Sequence, residues 1–298
     1  MYTYKNGTYN VTITHDGSRI KTGDSFIADH PDNIDCKITN WCDNPICRKY
    51  CHEKSDLSGK HGNIQLGIDV LKDLPAGVEI AIGGGATQSH PELPYFLTKL
   101  REIGLVPNLT INQYHFNDKQ ITKLLEWTSK KMYFGTGISY TNKNISNVLP
   151  FLKANTNAIW HMIAGINTPE EVLEIIKQSP NKPKILILGY KQFGNGIGYE
   201  QIHTKTVAEK IKQWYWRIHE FFKMDIVISF DNLAVQQLNI KRFFDEPTWD
   251  QFYQGDDGEA SMYIDLVNEQ AALSSRSSMR YNMQGKNIKQ LFKEVNGH

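Results

Sequence analysis

An α/β fold, a full or partial (β/α) barrel of six to eight parallel strands with a small N-terminal β-hairpin, is predicted by three observations. Short apolar runs recur along most of the chain, helical patterns with start signals separate them, and 298 residues suit one barrel of about 250 residues with additions. Parallel neighbours need a crossover connection, and alternating strands and helices supply it. Hydrophobic residues make up 40% and charged residues 22%, and 33 Lys+Arg against 32 Asp+Glu leave a net charge of +1. That balance lacks the electrostatic footprint of a nucleic-acid binder. No run reaches the ~18 apolar residues of a membrane helix, and Met1–Thr14 has no apolar signal core. A cytoplasmic protein with no membrane partner is expected.

The elements follow in order. Tyr2 to Ile13 alternates polar residues and β-formers around Asn6-Gly7, which reads as a hairpin within an appendage spanning 1–30. The barrel is assigned to 31–285, with strands expected at Ile34–Thr39, Val78–Ile82, Pro107–Asn112, Met132–Ile138, Ala158–Ile163, Lys184–Leu188, Asp225–Phe230 and Met262–Leu266. Helix starts are marked by His90-Pro91-Glu92 before Leu93 and by Thr168-Pro169-Glu170-Glu171 before Val172. The longest helix is expected from about Gln201 to Lys223, its Trp214-Tyr215-Trp216 run packing on the sheet. One amphipathic helix closes the chain within 286–298. In a barrel of this kind the loops after the strands build the site.

All four cysteines fall within one such region. Cys36 sits inside the first barrel strand, and Cys42, Cys47 and Cys51 follow on its loop in a C-x4-C-x3-C spacing. A tight cluster in a large chain points to metal rather than to a disulfide framework. Three thiolates on one loop can hold three irons of a 4Fe-4S cube and leave the fourth iron open. The competing reading is structural zinc, with Cys36 or His52 completing four ligands, in a non-catalytic barrel that acts as a binding or assembly module. Structural zinc usually recruits a second, distant pair, and the sequence has none. Cys36, between Asp35 and Lys37, reads as a small buried hydrophobe.

The segment Thr39-Asn40-Trp41-Cys42-Asp43, with Tyr50 just before the last cysteine, resembles the cluster loop of the radical S-adenosylmethionine (SAM) superfamily. Each gap is one residue longer than that family's usual C-x3-C-x2-C. A second match is Gly83-Gly84-Gly85 at the end of the next strand, where the family's glycine stretch contacts the SAM amino group; Ala86 stands where an acidic residue often follows. Consecutive glycines let backbone approach a ligand closely. The layout, including Cys51-His52-Glu53 and Gly189 to Gly194, is similar to an uncharacterised group common in phages and their bacterial hosts. The resemblance implies a 4Fe-4S cluster on Cys42, Cys47 and Cys51. It also implies SAM cleaved to a 5′-deoxyadenosyl radical that takes hydrogen from an unidentified substrate, and an electron donor such as flavodoxin or ferredoxin. It places Asn112 and Ser139 as polar contacts to SAM, Gly165 as a close backbone approach and Tyr50 beside the cofactor.

Other residues carry paired readings. His52 and Glu53 are a polar handle on the site or ordinary loop residues, and His161 a strand-end site residue or a satisfied core histidine. Gly189 to Tyr199 is expected to be a mobile covering loop that carries Lys191 to the barrel mouth. Asp231 and Asp265 are potential substrate ligands, with Asp231 favoured as a helix N-cap. Ser274 to Arg280 reads as a plain exposed loop rather than an anion clamp.

Overall fold

In each barrel strand, alternate residues are apolar and must be covered, which draws a helix onto one side of the sheet. Ile34, Cys36 and Ile38, then Ile80 and Ile82, Leu109 and Ile111, Trp160 and Met162, and Ile185 and Ile187 are all buried on that outer side. A computed structural model describes residues 1–14 and 18–297; residues 15–17 of the expected appendage and His298 of the expected terminal helix lie outside it.

The appendage is a three-stranded antiparallel sheet of β1 (Tyr2–Asn6), β2 (Tyr9–Ile13) and β3 (Arg19–Thr22). It is larger than the expected hairpin because the short polar strand β3, which carries no alternation of its own, pairs along β2. The turn falls on Gly7-Thr8. Asn6 ends the strand, and its buried amide donates to Asp32 Oδ1 at 2.7 Å and to the His30 carbonyl at 2.8 Å. Tyr9 and Lys21 converge on the same fully buried Asp32 carboxylate at 2.8 and 3.3 Å, and Arg19 pairs with Glu79. The appendage is thereby bolted to the amino ends of the first two barrel strands.

The barrel follows as β4 (Asn33–Thr39), α1 (Ile64–Leu71), β5 (Glu79–Gly84), α2 (Leu93–Glu102), β6 (Val106–Asn112), α3 (Asp118–Ser129), β7 (Thr136–Ser139) and α4 (Leu149–Ala154). It continues through β8 (Ala158–Ile163), α5 (Pro169–Gln178), β9 (Lys184–Leu188), α6 (Asn195–Phe221), β10 (Val227–Phe230), α7 (Asn232–Leu238) and α8 (Glu246–Phe252). Last come β11 (Ser261–Asp265), β12 (Gln270–Ala272), β13 (Tyr281–Asn282) and α9 (Ile288–Val295). The ten-stranded sheet has the order β10-β9-β8-β7-β6-β5-β4-β11-β12-β13. From β10 to β11 every pairing is parallel, so eight parallel strands form a partial β/α barrel.

The late strand β11 returns to pair with β4, as it would in a closed barrel, but its other neighbour is antiparallel β12. No backbone ladder joins β10 to β13 among the described residues. Side chains bridge the gap instead: Asn232 donates to Asp257 at 2.9 Å, and Asp257 accepts from Arg276 at 2.7 Å.

Local signals set several boundaries. Thr168 and Glu171 close a capping box at the start of α5. Asp231 accepts from the Ala234 amide and so caps α7. β7 begins later than the expected Met132, because Met132 donates back to Trp127 to close α3. α6 starts at Asn195, six residues before the expected Gln201, with one non-helical residue at His203. Of its aromatic run only Trp214 is buried, donating to Asn167 O, while Trp216 is exposed. No described helix is long and apolar enough to cross a membrane.

Candidate functional site

The loop after β4 is held by backbone bonds to the end of β5. Gly85 donates to Thr39 O at 2.8 Å and Ala86 to Trp41 O at 2.7 Å. Two of the three consecutive glycines are demanded by this contact. Gly84 has φ +120°, and a Cβ there would lie 2.4 Å from Thr39 O; at Gly85 it would lie 2.2 Å from Trp41 O. Gly83 differs, since the nearest atom to its Cβ position is Thr110 Cβ at 3.9 Å. It alone of the three leaves room for a ligand.

The cysteines sit on this braced loop, and all four are free thiols. The Asn44 side chain accepts from the Ile46 and Cys47 amides and starts the helical turn Cys47–Tyr50. Cys42 and Cys47 hydrogen-bond to each other. The Cys47 contact, with help from His115, draws the Cys42 thiol down to about 5, whereas Cys47 is held protonated. Cys51 lies close enough to Cys47 to repel its thiolate, and burial pushes Cys51 up. Cys36 is buried among the apolar residues of the outer side, where burial raises its thiol strongly.

The glycine-containing segment after β9 is short and docked rather than a mobile cover. Asn195 donates from its backbone to Cys51 O at 3.0 Å and from its side chain to Arg48 O at 2.9 Å, and Gly194, at φ +59°, packs against His52 O. Lys191 reaches Ser275 Oγ at 2.9 Å and His52 Nε2 at 3.4 Å. Tyr50, His52, Ile163, Leu188, Gly189, Tyr190 and Lys191 line a cavity of about 40 Å³ beside the cysteine loop.

On the concave side, strand positions alternate with the buried apolar ones. Lys37 is buried between Glu53 at 2.9 Å and Asp265 at 3.1 Å. Glu53 also meets His52 Nε2 at 3.3 Å and the Tyr263 hydroxyl at 3.1 Å. Burial pushes the Glu53 carboxyl up, but His52 and Lys37 more than offset it and hold the group well below the carboxylate range. Glu53 is therefore no ordinary loop residue. Asp265, expected as a substrate ligand, is engaged by Lys37, the Val267 amide and Asn268. Ser274 to Arg280 is no plain exposed loop: Ser275 is buried on Lys191, and Arg280 stacks over Tyr263.

Asp35 faces the open interior, where burial and neighbouring carboxylates raise its carboxyl despite Lys191. His161 lies across Gly137, whose Cβ would come 2.3 Å from the ring; burial and then Lys191 draw the imidazole down to about 4, leaving it neutral. Ser139 projects to the same side. Asn112 is partly spent, accepting from the Tyr114 amide at 2.9 Å and from Thr141 at 3.3 Å. Gly165 is packed under the Tyr190 ring. Lys37, Tyr263, Ser275 and His115 had carried no sequence motif. Only Lys37 gave a signal, a charge inside an otherwise apolar strand.

A parallel β/α sheet open on one side, with three free thiols on the loop after its first strand, is the fold of the radical SAM superfamily. Streptococcus suis SuiB bound to S-adenosylmethionine is similar at a TM-score of 0.62 and 12% identity, over 90% of this chain and 68% of SuiB. SuiB bound to its precursor peptide SuiA gives 0.61 and 11%, over 89% of this chain and 65% of that one. The anSMEcpe enzyme with bound AdoMet gives 0.54 and 13%, over 89% and 80%. The chain thus spans about two thirds of SuiB's length. No protein-family model and no curated protein matches the sequence.

The donor set fits an iron-sulfur cluster. Its three thiols are unbridged, sit at the carboxyl end of the sheet, and adjoin a buried His115 Nδ1 without a hydrogen-bond partner.

Proposed function

We propose that this chain is a radical SAM enzyme in which Cys42, Cys47 and Cys51 hold a 4Fe-4S cluster. The observation that carries the reading is the gathering of three free thiols on a glycine-braced loop, on a fold shared with enzymes solved with SAM. Loaded with cluster and SAM, such a site passes one electron to the sulfonium, releasing methionine and a 5′-deoxyadenosyl radical that takes a hydrogen atom from the substrate. The chain's own residues bind and orient. Gly83 offers bare backbone for the SAM amino group, with Ser139 and Asn112 as polar contacts along the next strand ends. Tyr50, Ile163 and Leu188 form a largely apolar recess for the adenine, which Gly165 shapes by letting Tyr190 pack close.

The substrate lies deeper on the concave side, among Asp35, His161 and Lys191. These charged and polar groups suit a polar substrate. SuiB and anSMEcpe are solved with peptides, SuiA and Kp18Cys, and a peptide is the substrate class we carry over. The electron comes from a small carrier protein such as flavodoxin or ferredoxin. Enclosure by the sheet keeps water and competing C–H bonds from the radical.

One observation favours a second reading. Cys42, Asp43 and His115 offer donor atoms within 4.8 Å of one another, a set suited to a single ion such as zinc in a non-catalytic binding module. Anaerobic reconstitution separates the two. The enzyme should turn brown, bind about four irons per chain, and release 5′-deoxyadenosine from SAM with a strong reductant. Cys47→Ala should abolish colour and cleavage together. Stoichiometric zinc with no iron would overturn the enzyme reading.

A further inference from the structure

His115 lies in the helical turn Gln113–His115 after β6, far along the chain from the cysteine loop, yet its ring closes one corner of that loop. Its Nε2 is 2.8 Å from Asp43 Oδ1, and its side chain is only 7% exposed. A carboxylate only accepts, so this contact places a hydrogen on Nε2. The other nitrogen, Nδ1, is buried without a hydrogen-bond partner. Such a group costs about 1–3 kcal/mol when left unsatisfied. Within 4.8 Å of the ring lies the sulfur of Cys42, and a metal-bound thiolate is a hydrogen-bond acceptor. Loading the site therefore supplies the partner that the buried nitrogen lacks.

Resting on the cluster reading above, we propose that His115, oriented by Asp43, is a positioning residue that donates from Nδ1 to the Cys42 sulfur and raises the cluster's reduction potential. Reduction adds one electron to the cluster and puts negative charge on its sulfurs, breaking no bond. A hydrogen bond to sulfur stabilises that form more than the oxidised one. Asp43 holds the ring in place and balances the charge of a doubly protonated imidazole.

The test is a redox titration of the reconstituted protein with dithionite and mediators, followed by electron paramagnetic resonance without SAM, beside an iron assay. His115→Ala should keep the wild-type iron content, because all three thiolates remain. At the potential where the wild type is half reduced, its reduced-to-oxidised ratio should fall about tenfold, which for one electron is about 59 mV. Asp43→Asn should move the midpoint in the same direction by less. His115→Gln, which keeps a donor, should recover part of the shift and decides the matter if the alanine variant does not fold. Unchanged iron with an unchanged midpoint in both His115 variants would overturn the proposal alone. Loss of iron from His115→Gln would make His115 a ligand and also overturn it. A wild type that takes zinc and no iron overturns this proposal and the cluster reading together.

Discussion

Replacing Lys37 with methionine isolates the buried charge network that ties the cysteine loop to the barrel wall. The Lys37 side chain is 6% exposed, and those of Glu53 and Asp265 are 13% and 8%. Removing the one cation leaves two carboxylates out of water without their counter-charge, a change that typically costs about 3–5 kcal/mol. Asp265 keeps the Val267 amide and Asn268, and Glu53 keeps His52 and Tyr263, which puts the expected loss near the lower end, about 3 kcal/mol. At roughly 2–4 °C per kcal/mol for a chain of this size, Tm should fall by about 6–10 °C. Urea unfolding of the cluster-free proteins, side by side, measures it.

The sign of the pH dependence is a second constraint. Lys37 has its pKa raised above 10.5, so its contribution is complete below that value and fades as pH rises through the folded one. Glu53 is depressed below 4.5, so its contribution is present above 4.5 and lost as pH falls through the folded value. Without Lys37 the carboxylates protonate more readily, so the variant's deficit should shrink as pH is lowered from 7 toward 4. A Lys37→Met protein within about 0.5 kcal/mol of wild type at pH 7, the usual range of an inconsequential surface change, would refute the reasoning.

Other expectations follow from single residues. Gly85→Ala should displace the loop through Trp41 O and lower iron content by more than half with the circular dichroism spectrum intact, whereas Gly83→Ala should retain iron and weaken SAM affinity about tenfold, about 1.4 kcal/mol by equilibrium dialysis. Cys36→Ala should lose about 1 kcal/mol in urea unfolding and no iron; bleaching would move the ligand assignment to the strand. Asp32→Ala strips the acceptor from Tyr4, Asn6, Tyr9 and Lys21 and should destabilise by about 3–5 kcal/mol, readable as a Tm drop.

What the sequence disclosed depends on whether the signal was local. The eight parallel strands were legible because each is a short apolar run flanked by helix-start residues, as at Thr168-Pro169-Glu170-Glu171. The cysteine loop was legible because its three thiols lie close in sequence. Strands β12 and β13 were not, since three and two residues cannot display a period. Nor could the sequence show that Gly84 and Gly85 serve the cysteine loop, because that contact joins two segments some forty residues apart. His115 and Ser275 likewise acquire their neighbours only through tertiary contact with Asp43 and Lys191. Asn6 read as a turn residue. Its real work is long-range, a carboxamide aimed at Asp32.

The gap between the last parallel strand and β13 sets a rule for what can enter. A ring shut by main-chain ladders admits only guests that pass through its mouth, and its diameter is dictated by strand count. Here the circuit is completed by Asn232, Asp257 and Arg276, three polar side chains that can trade partners at little cost. The chamber therefore has a slot as well as a mouth. An extended chain can lie along such a slot with one residue dipped inside and both ends left in water, so the length of the guest is not limited by the vessel that works on it.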